Sequence, residues 1–431
     1  MWVNIRNTLG PLFLILICPP FVMLMWYTNT QLDGSFATLW NMIIQNGFFA
    51  TTYSIWQPLF WGSSTAWAII SCFVLFELAL MKLLPGKIFH GPITPKGNVP
   101  VYKANGVLAF VTSMAAFAIA SFGLNLFPAT ILYDNLGSLF AALNLLSLVF
   151  CVFLYIKGRF FPSSTDSSST NNVLFDYYWG TELYPQVLGW NIKKFITCRF
   201  GMMSWGLFLL SYAAKQAELG GLSNSMLISV TLQLLYIAKF YAWETGYLRS
   251  LDIMHDRAGF YICWGCMVWV PCIYTSPGMY LVLHPIELSM GWASAIFGLG
   301  VVSIMINYLA DKQRIIARET EGNCKIWGRK PTTLVAHYQT EDGIAKKTLL
   351  LASGWWGVAR HFHYVPELAA AFLWSVPALF THFAPYFYVC FLTILLVDRA
   401  FRDDRRCSRK YGEYWTKYCE LVPYKIVPLI I

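Results

Sequence analysis

Two groups of residues in this 431-residue chain have the type and spacing to do chemistry. The first lies in 397–418, where Arg399, Asp403, Arg406 and Lys410 recur at steps of three and four. On a helix these share or adjoin one face, with Arg402, Arg405 and Arg409 in a second row and Tyr411, Tyr414 and Tyr418 continuing the spacing. Arginine forks match phosphate oxygens in pairs, so a phosphate-rich cofactor would use such a face; a solvated interfacial helix would show the same pattern. Upstream, Arg314 and Arg318 are four apart and precede Trp327-Gly328-Arg329-Lys330-Pro331, which reads as a rigid turn beside a basic cluster or as an ordinary amphipathic loop. Between them, 355–367 mixes aromatic, basic and imidazole side chains.

The second group surrounds Glu244, near the end of an apolar run, with Lys239, Arg249, Asp252, His255 and Asp256 close in sequence. An ionisable residue within apolar sequence points to function. Glu244 either pairs with a base at the interface or, kept neutral by burial, donates a proton. Glu77, inside the apolar run 65–84, poses the same choice. The chain has no Gly-x-Gly-x-x-Gly after a strand, no phosphate-binding Gly-rich loop, no His-Glu-x-x-His and no Gly-x-Ser-x-Gly. If a nucleotide binds, it binds between membrane helices. The 11 Cys are scattered, and Cys263 and Cys266 form a C-x-x-C inside an apolar run, where they read as packing residues; no metal site is expected.

The elements that must position these groups follow from composition. Hydrophobic residues make up 57% of the chain and charged residues 12%, with a mean hydropathy of +0.51. That is half the charge of a soluble domain, so disordered, collagenous and disulfide-scaffold classes are excluded and a multi-pass membrane protein remains. Apolar runs fall at 9–28, 65–84, 107–127, 135–156, 226–243, 260–283, 291–310, 368–384 and 386–397, with weaker ones at 37–61 and 202–214. Each must be helical, because only a helix or a closed barrel satisfies its backbone in lipid, and barrel-type alternation is absent. The expectation is an all-α integral membrane protein of about ten transmembrane helices. The first run is too long for a signal-peptide core and lacks a cleavage site, so it reads as a retained helix. The net charge is +9, and 16 of the 31 Lys and Arg lie in 311–348 and 391–431, which the positive-inside bias places on the cytoplasmic face. Both segments could also bind anionic lipid heads.

Longer motifs carry a resemblance. Residues 350–364, LeuLeuAlaSerGlyTrpTrpGlyValAlaArgHisPheHisTyr, and 402–412, ArgAspAspArgArgCysSerArgLysTyrGly, resemble two signatures of the sterol C=C reductase family. GlyProIleThrProLysGly (91–97), AlaAlaLysGlnAlaGluLeu (213–219), IleTrpGlyArgLysPro (326–331) and ProTyrPheTyr (385–388) resemble its Δ7-reducing branch more than its Δ14-reducing branch. The resemblance implies a single multi-pass domain, in the endoplasmic reticulum of a eukaryote or the inner membrane of a bacterium. Residues 1–290 would contribute the sterol pocket and 291–431 a C-terminal, helical NADPH-binding half. It implies cofactor contacts from Arg314, Arg318, Leu351, Trp356, His363, Tyr364, Arg399, Asp403, Cys407, Tyr411 and Tyr418, and a sterol-facing Tyr236 and Glu244. His363 stands where the family has Asn, Pro366-Glu367 for Gly-Asp, Tyr184-Pro185-Gln186 for Asn-Pro-Arg, and Lys239 and Cys266 where it has Asp. The variants at 361–364 and 263–266 fit the Δ7 branch.

The implied reaction is protonation of a ring alkene, then hydride transfer from NADPH, with a sterol such as 7-dehydrocholesterol or a similar Δ5,7-sterol entering from the bilayer. Candidate acids are Tyr236 and Glu244, or a relay through His361 or Tyr411, in a site with little competing water. Arg314, Arg318 and Arg399 would meet the 2′-phosphate. Three alternatives stay open: reduction of a Δ14 or side-chain bond, a membrane isoprenylcysteine-type methyltransferase suggested by Arg360-His361-x-x-Tyr364, and a sterol-binding protein without turnover. Membrane lipids are the other expected partners; nucleic acid is not.

Overall fold

The computed structural model describes residues 2–94, 96–339, 343 and 345–430, with side chains from Asn7 onward. Positions 340–342 and 344 of the basic 311–348 stretch lie outside the described residues. Among the described residues, eight helices are long and apolar enough to cross a membrane: Asn7–Gln31, Ser64–Leu83, Gly106–Gly123, Leu136–Phe160, Asn224–Ala242, Phe260–Leu283, Met290–Glu319 and Ala384–Tyr411. The chain is a multi-pass helical membrane protein.

Three apolar runs end up differently from a simple count. The 37–61 run is cut into two short helices, Phe36–Asn46 and Phe48–Trp56, by Gly47 at φ +85°, a conformation that only glycine adopts readily. The 368–384 run stops as a helix at Ser375, because Pro377 in the 3-10 turn Val376–Ala378 has no amide to donate. Its 12 residues in Tyr364–Ser375 reach roughly 18 Å, short of a ~30 Å hydrocarbon core. The 202–214 run forms Met202–Gly220, an inner helix with Trp205, Leu209 and Tyr212 buried. Its polar residues are used internally: Ser211 Oγ accepts from the Tyr133 amide (3.2 Å), and Gln216 donates to the Leu281 carbonyl (2.5 Å). This explains its weak apolar signal.

The chain folds as two compact units, one of Met1–Glu287 with Ala378–Pro385 and the other of Leu288–Pro377 with Tyr386–Ile431. In the larger unit, the polar loops interlock at one end of the helices. Asp166 accepts from Thr94 (2.9 Å), Asn98 (2.6 Å) and the Tyr184 hydroxyl. Lys157 pairs with Glu182 at 2.7 Å, and buried Lys193 donates to the Ile253 (2.8 Å) and Asp256 carbonyls. Two antiparallel hairpins, Lys87–His90 with Val101–Ala104 and Gln186–Val187 with Trp190–Asn191, belong to these loops. Elsewhere in the unit, His284 meets Asp33 at 2.9 Å, and the Tyr280 hydroxyl and His382 Nδ1 lie 2.9 Å apart.

The smaller unit is built on Met290–Glu319, Tyr364–Ser375, Phe387–Tyr411 and Glu413–Leu421, with a seven-pair hairpin of Thr333–Gln339 and Ala345–Leu351. One face of this hairpin packs Ala336 and Leu350 on Cys407, Trp415, Tyr418 and Val422. Leu349 and Leu351 pack with Ala317, Ile326 and Trp356. The hairpin thus joins the end of one long helix to the tail helices.

Candidate functional site

The smaller unit draws most of the expected cofactor residues into one strip. It begins at Arg314, whose guanidinium lies 4.3 Å from the centre of the Trp356 ring. Trp356 is fixed by its indole N–H, which donates to the Ala310 carbonyl (2.7 Å). The one-turn helix Trp355–Val358 that carries it depends on Gly354, at φ +61°. A β-carbon there would stand 2.3 Å from Gln313 Oε1, the oxygen that accepts the Trp355 amide at 3.0 Å. The rings then follow in sequence: Trp356 to His363 (4.9 Å), His363 to Tyr364 (4.3 Å) and Tyr364 to His361 (5.4 Å). Asn307 holds the turn by donating to the His363 carbonyl at 2.9 Å.

The strip ends in charge. His361 Nε2 lies 3.2 Å from Asp403 Oδ2, and Asp403 Oδ1 accepts from Arg406 at 2.7 and 3.2 Å. Cys407 is one turn further along the same helix, and half-buried Arg399 one turn before. Tyr418 donates its hydroxyl to the Leu351 carbonyl at 2.8 Å. Burial pushes that hydroxyl up to about 12, against the pull of Arg314, Arg360 and Arg318 nearby, so at neutral pH it remains a donor. Replacing Tyr418 with phenylalanine leaves the Leu351 carbonyl without this donor and is expected to cost about 1 kcal/mol, read as a lower thermal unfolding midpoint.

Positive charge is in excess here. Arg318 donates to the Leu349 carbonyl (3.2 Å), and the Lys410 ammonium sits 4.2 Å over the Tyr338 ring, beside Tyr411. Among the described residues, neither Arg318 nor Lys410 has a carboxylate within 4 Å. Unbalanced cations beside flat rings suit a ligand that combines phosphates with aromatic bases. The turn expected at 327–331 is present: Trp327 and Gly328 both have positive φ, and Ile326 and Arg329 exchange backbone hydrogen bonds at 2.9 and 3.1 Å.

Neither Arg360 nor Asp404 has a site role in the sequence reading. Arg360 is buried, donates to the Val422 (2.6 Å) and Pro423 (3.0 Å) carbonyls and lies 3.6 Å from Asp404, which also meets Lys425 (3.2 Å). These contacts pin the chain end to the strip. The adjacent Arg-His pair was a usable signal for them.

Glu244 and Tyr236 lie in the larger unit, and the environment of Glu244 differs from the expected one. Its neighbours in sequence turn elsewhere: Lys239 sits 4.9 Å over the Tyr236 ring, Arg249 over Phe89 (5.2 Å), and His255 meets Asp256. The partners of buried Glu244 are Arg199 (2.9 Å), Lys194 (3.4 Å) and the Gly106 amide (2.8 Å). Both carboxylate oxygens are thereby engaged as acceptors, which is the arrangement of an ion-paired structural carboxylate rather than of a proton donor. Arg199 sits in a π-helical turn, Phe195–Gly201. Glu77 is buried and accepts from Ser113 Oγ at 2.5 Å. Tyr236 is half-buried against Trp205, with ring centres 5.7 Å apart.

Comparison with known proteins follows these motifs. The sequence profile described as "Ergosterol biosynthesis ERG4/ERG24 family" matches residues 9–431. The chain is 52% identical over 419 residues to an Arabidopsis thaliana protein named 7-dehydrocholesterol reductase, covering 97% of this chain and 96% of the relative. It is 38% identical to a Danio rerio protein of the same name, covering 88% and 83%. It is 34% identical to a protein of Methylotuvimicrobium alcaliphilum named Delta(14)-sterol reductase, covering 97% and 94%.

Proposed function

Because the chain belongs to the ergosterol biosynthesis ERG4/ERG24 family, we propose that it is a sterol reductase that uses NADPH to saturate a ring double bond, the Δ7 bond of 7-dehydrocholesterol or a similar Δ5,7-sterol. The observation that carries the reading is near full-length identity of 52% to a relative named for that reaction. The uncompensated charges of Arg318 and Lys410 beside aromatic rings support a dinucleotide. A methyltransferase does not fit a family match over residues 9–431.

NADPH, when bound, supplies the hydride. The chain's own part is to hold it and to deliver a proton. Arg314, Arg318 and Arg399 would meet its phosphates, and Leu351, Trp356, His363, Tyr364, Asp403, Cys407, Tyr411 and Tyr418 would form the remaining wall. An alkene without a polarising group must be protonated before it accepts hydride. We assign that proton to Tyr236, where Lys239 places a positive charge over the ring that would carry the resulting phenolate, with His361 as a second acid held by Asp403. Glu244 is left to bind helices together. The sterol enters from the bilayer.

The test is turnover by purified protein in detergent, given NADPH and a panel of Δ7, Δ14 and side-chain unsaturated sterols, with products identified by mass spectrometry. Loss of the Δ7 bond with equal oxidation of NADPH is expected. Consumption of the Δ14-sterol alone, the reading favoured by the 34% identical relative, would replace the substrate; sterol binding without turnover would replace the function. In the same assay, Arg399→Ala is expected to raise the KM for NADPH roughly tenfold or more, as for loss of a charged hydrogen bond, and to leave the sterol KM unchanged. Equal rises in both constants would remove Arg399 from the cofactor wall.

A further inference from the structure

The larger unit contains a second basic site, lined by none of the residues assigned above to the proton or the cofactor. A cavity of about 280 Å³ opens beside the end of the Ser64–Leu83 helix, bounded by Lys82, Lys103, Lys194, Gln186, Trp190 and Asn191. We propose that it binds the phosphate of an anionic phospholipid headgroup from the surrounding bilayer.

The charge argument is local. No Asp or Glu occurs between Glu77 and Asp134, whereas Lys82, Lys87, Lys96 and Lys103 all fall there. Lys194 is already engaged by Glu244 and by the Lys103 carbonyl, so it forms the floor. Lys82 and Lys103 have no carboxylate within 4 Å among the described residues. The Lys82 ammonium rests 4.3 Å over the Trp190 ring, and Lys103 donates to the Lys82 carbonyl at 2.9 Å. Trp190 is held in turn by its indole N–H, which donates to the Leu78 carbonyl at 3.2 Å. Two ammonium groups are therefore held at the cavity without a counter-ion.

An independent observation points the same way. Asn191 is 7% exposed, and its Oδ1 accepts the Lys194 amide at 2.9 Å, which fixes the orientation of the side chain. Its Nδ2 is buried with no hydrogen-bond partner. A buried amide donor left unmade is costly, and an anionic oxygen in the cavity would satisfy it. The rim selects a lipid over a free ion. Ile88 and Val101, which line the cavity, are 63 and 53% exposed, and Leu83 and Leu188, the chain neighbours of its lining residues Lys82 and Gly189, are 77 and 85% exposed, apolar surface that acyl chains would cover and that inorganic phosphate would leave in water. Lys82 lies in the last turn of Ser64–Leu83, and basic residues at the end of a spanning helix are where anionic lipid is expected to be attracted.

The test uses the full chain in nanodiscs of phosphatidylcholine, with and without phosphatidylglycerol, and counts retained lipids by native mass spectrometry. Wild-type protein is expected to enrich phosphatidylglycerol, and the Lys82→Gln/Lys103→Gln variant to lose about tenfold of that enrichment. The Lys87→Gln/Lys96→Gln variant removes the same charge from outside the cavity and is expected to keep it. If the double variant folds poorly, hydrogen exchange on the wild type serves: the 87–104 hairpin should be slowed by phosphatidylglycerol and not by phosphatidylcholine. Equal loss in both variants, no enrichment, or full displacement of the lipid by inorganic phosphate would each overturn the proposal.

Discussion

Replacing Arg199 with leucine is expected to unfold the larger unit or lower its stability by about 3–5 kcal/mol, the cost of removing one partner from a buried ion pair. The size follows from what the guanidinium touches. Its Nη2 donates both to Glu244 Oε1 (2.9 Å) and to Asn105 Oδ1 (2.7 Å), and the side chain is fully buried. Without it, Glu244 keeps Lys194 at 3.4 Å and the Gly106 amide but loses its shorter charged partner, and Asn105 Oδ1 loses its guanidinium donor. Arg199→Lys keeps the charge and loses the planar fork, so it should fall between the two. Thermal unfolding in detergent, followed by tryptophan fluorescence, orders the three proteins. A leucine variant as stable as wild type would show that the pair contributes nothing.

Asp403→Leu is expected to cut kcat/KM for NADPH by roughly thirtyfold or more, equivalent to about 2–5 kcal/mol for truncating one member of a hydrogen-bonded charge set. Asp403 is the only bridge described between His361 and Arg406, so its loss frees the imidazole from the helix and leaves Arg406 without its anion. Asp398 provides the control. Its carboxylate pairs with Arg402 at 2.8 Å on the exposed side of the same helix, where such a pair is worth less than about 1 kcal/mol. Asp398→Leu should leave the kinetics within twofold, roughly the effect of that small energy. Similar losses in both variants would mean that the tail helix contributes only net charge.

Much of the architecture was legible because a bilayer allows few solutions. Apolar runs such as 135–156 and 260–283 had to be helices, and Leu136–Phe160 and Phe260–Leu283 are. Where the reading of span number strained, the cause was local backbone chemistry: glycine at 47 and proline at 377 interrupt runs whose composition alone looked continuous. The hairpin at 333–351 was not anticipated, since its alternation sits inside a segment that reads mainly as basic and polar. The strip of rings was legible in kind, because His361, His363 and Tyr364 are sequence neighbours. The partners of Glu244 were not. Lys194 and Arg199 lie 50 and 45 positions before it, and only the packing of helices brings them to its carboxylate.

The division of the chain bears on how the protein is made. Residues 378–385 belong to the larger unit although 90 residues of the smaller one, 288–377, precede them. A ribosome therefore finishes nearly all of the larger unit's helices long before His382 emerges to meet Tyr280. Its last segment arrives only after the chain has left for the other unit and returned. The early helices are therefore made before residues 378–385 can join them, and no single cut in the gene separates the two units cleanly.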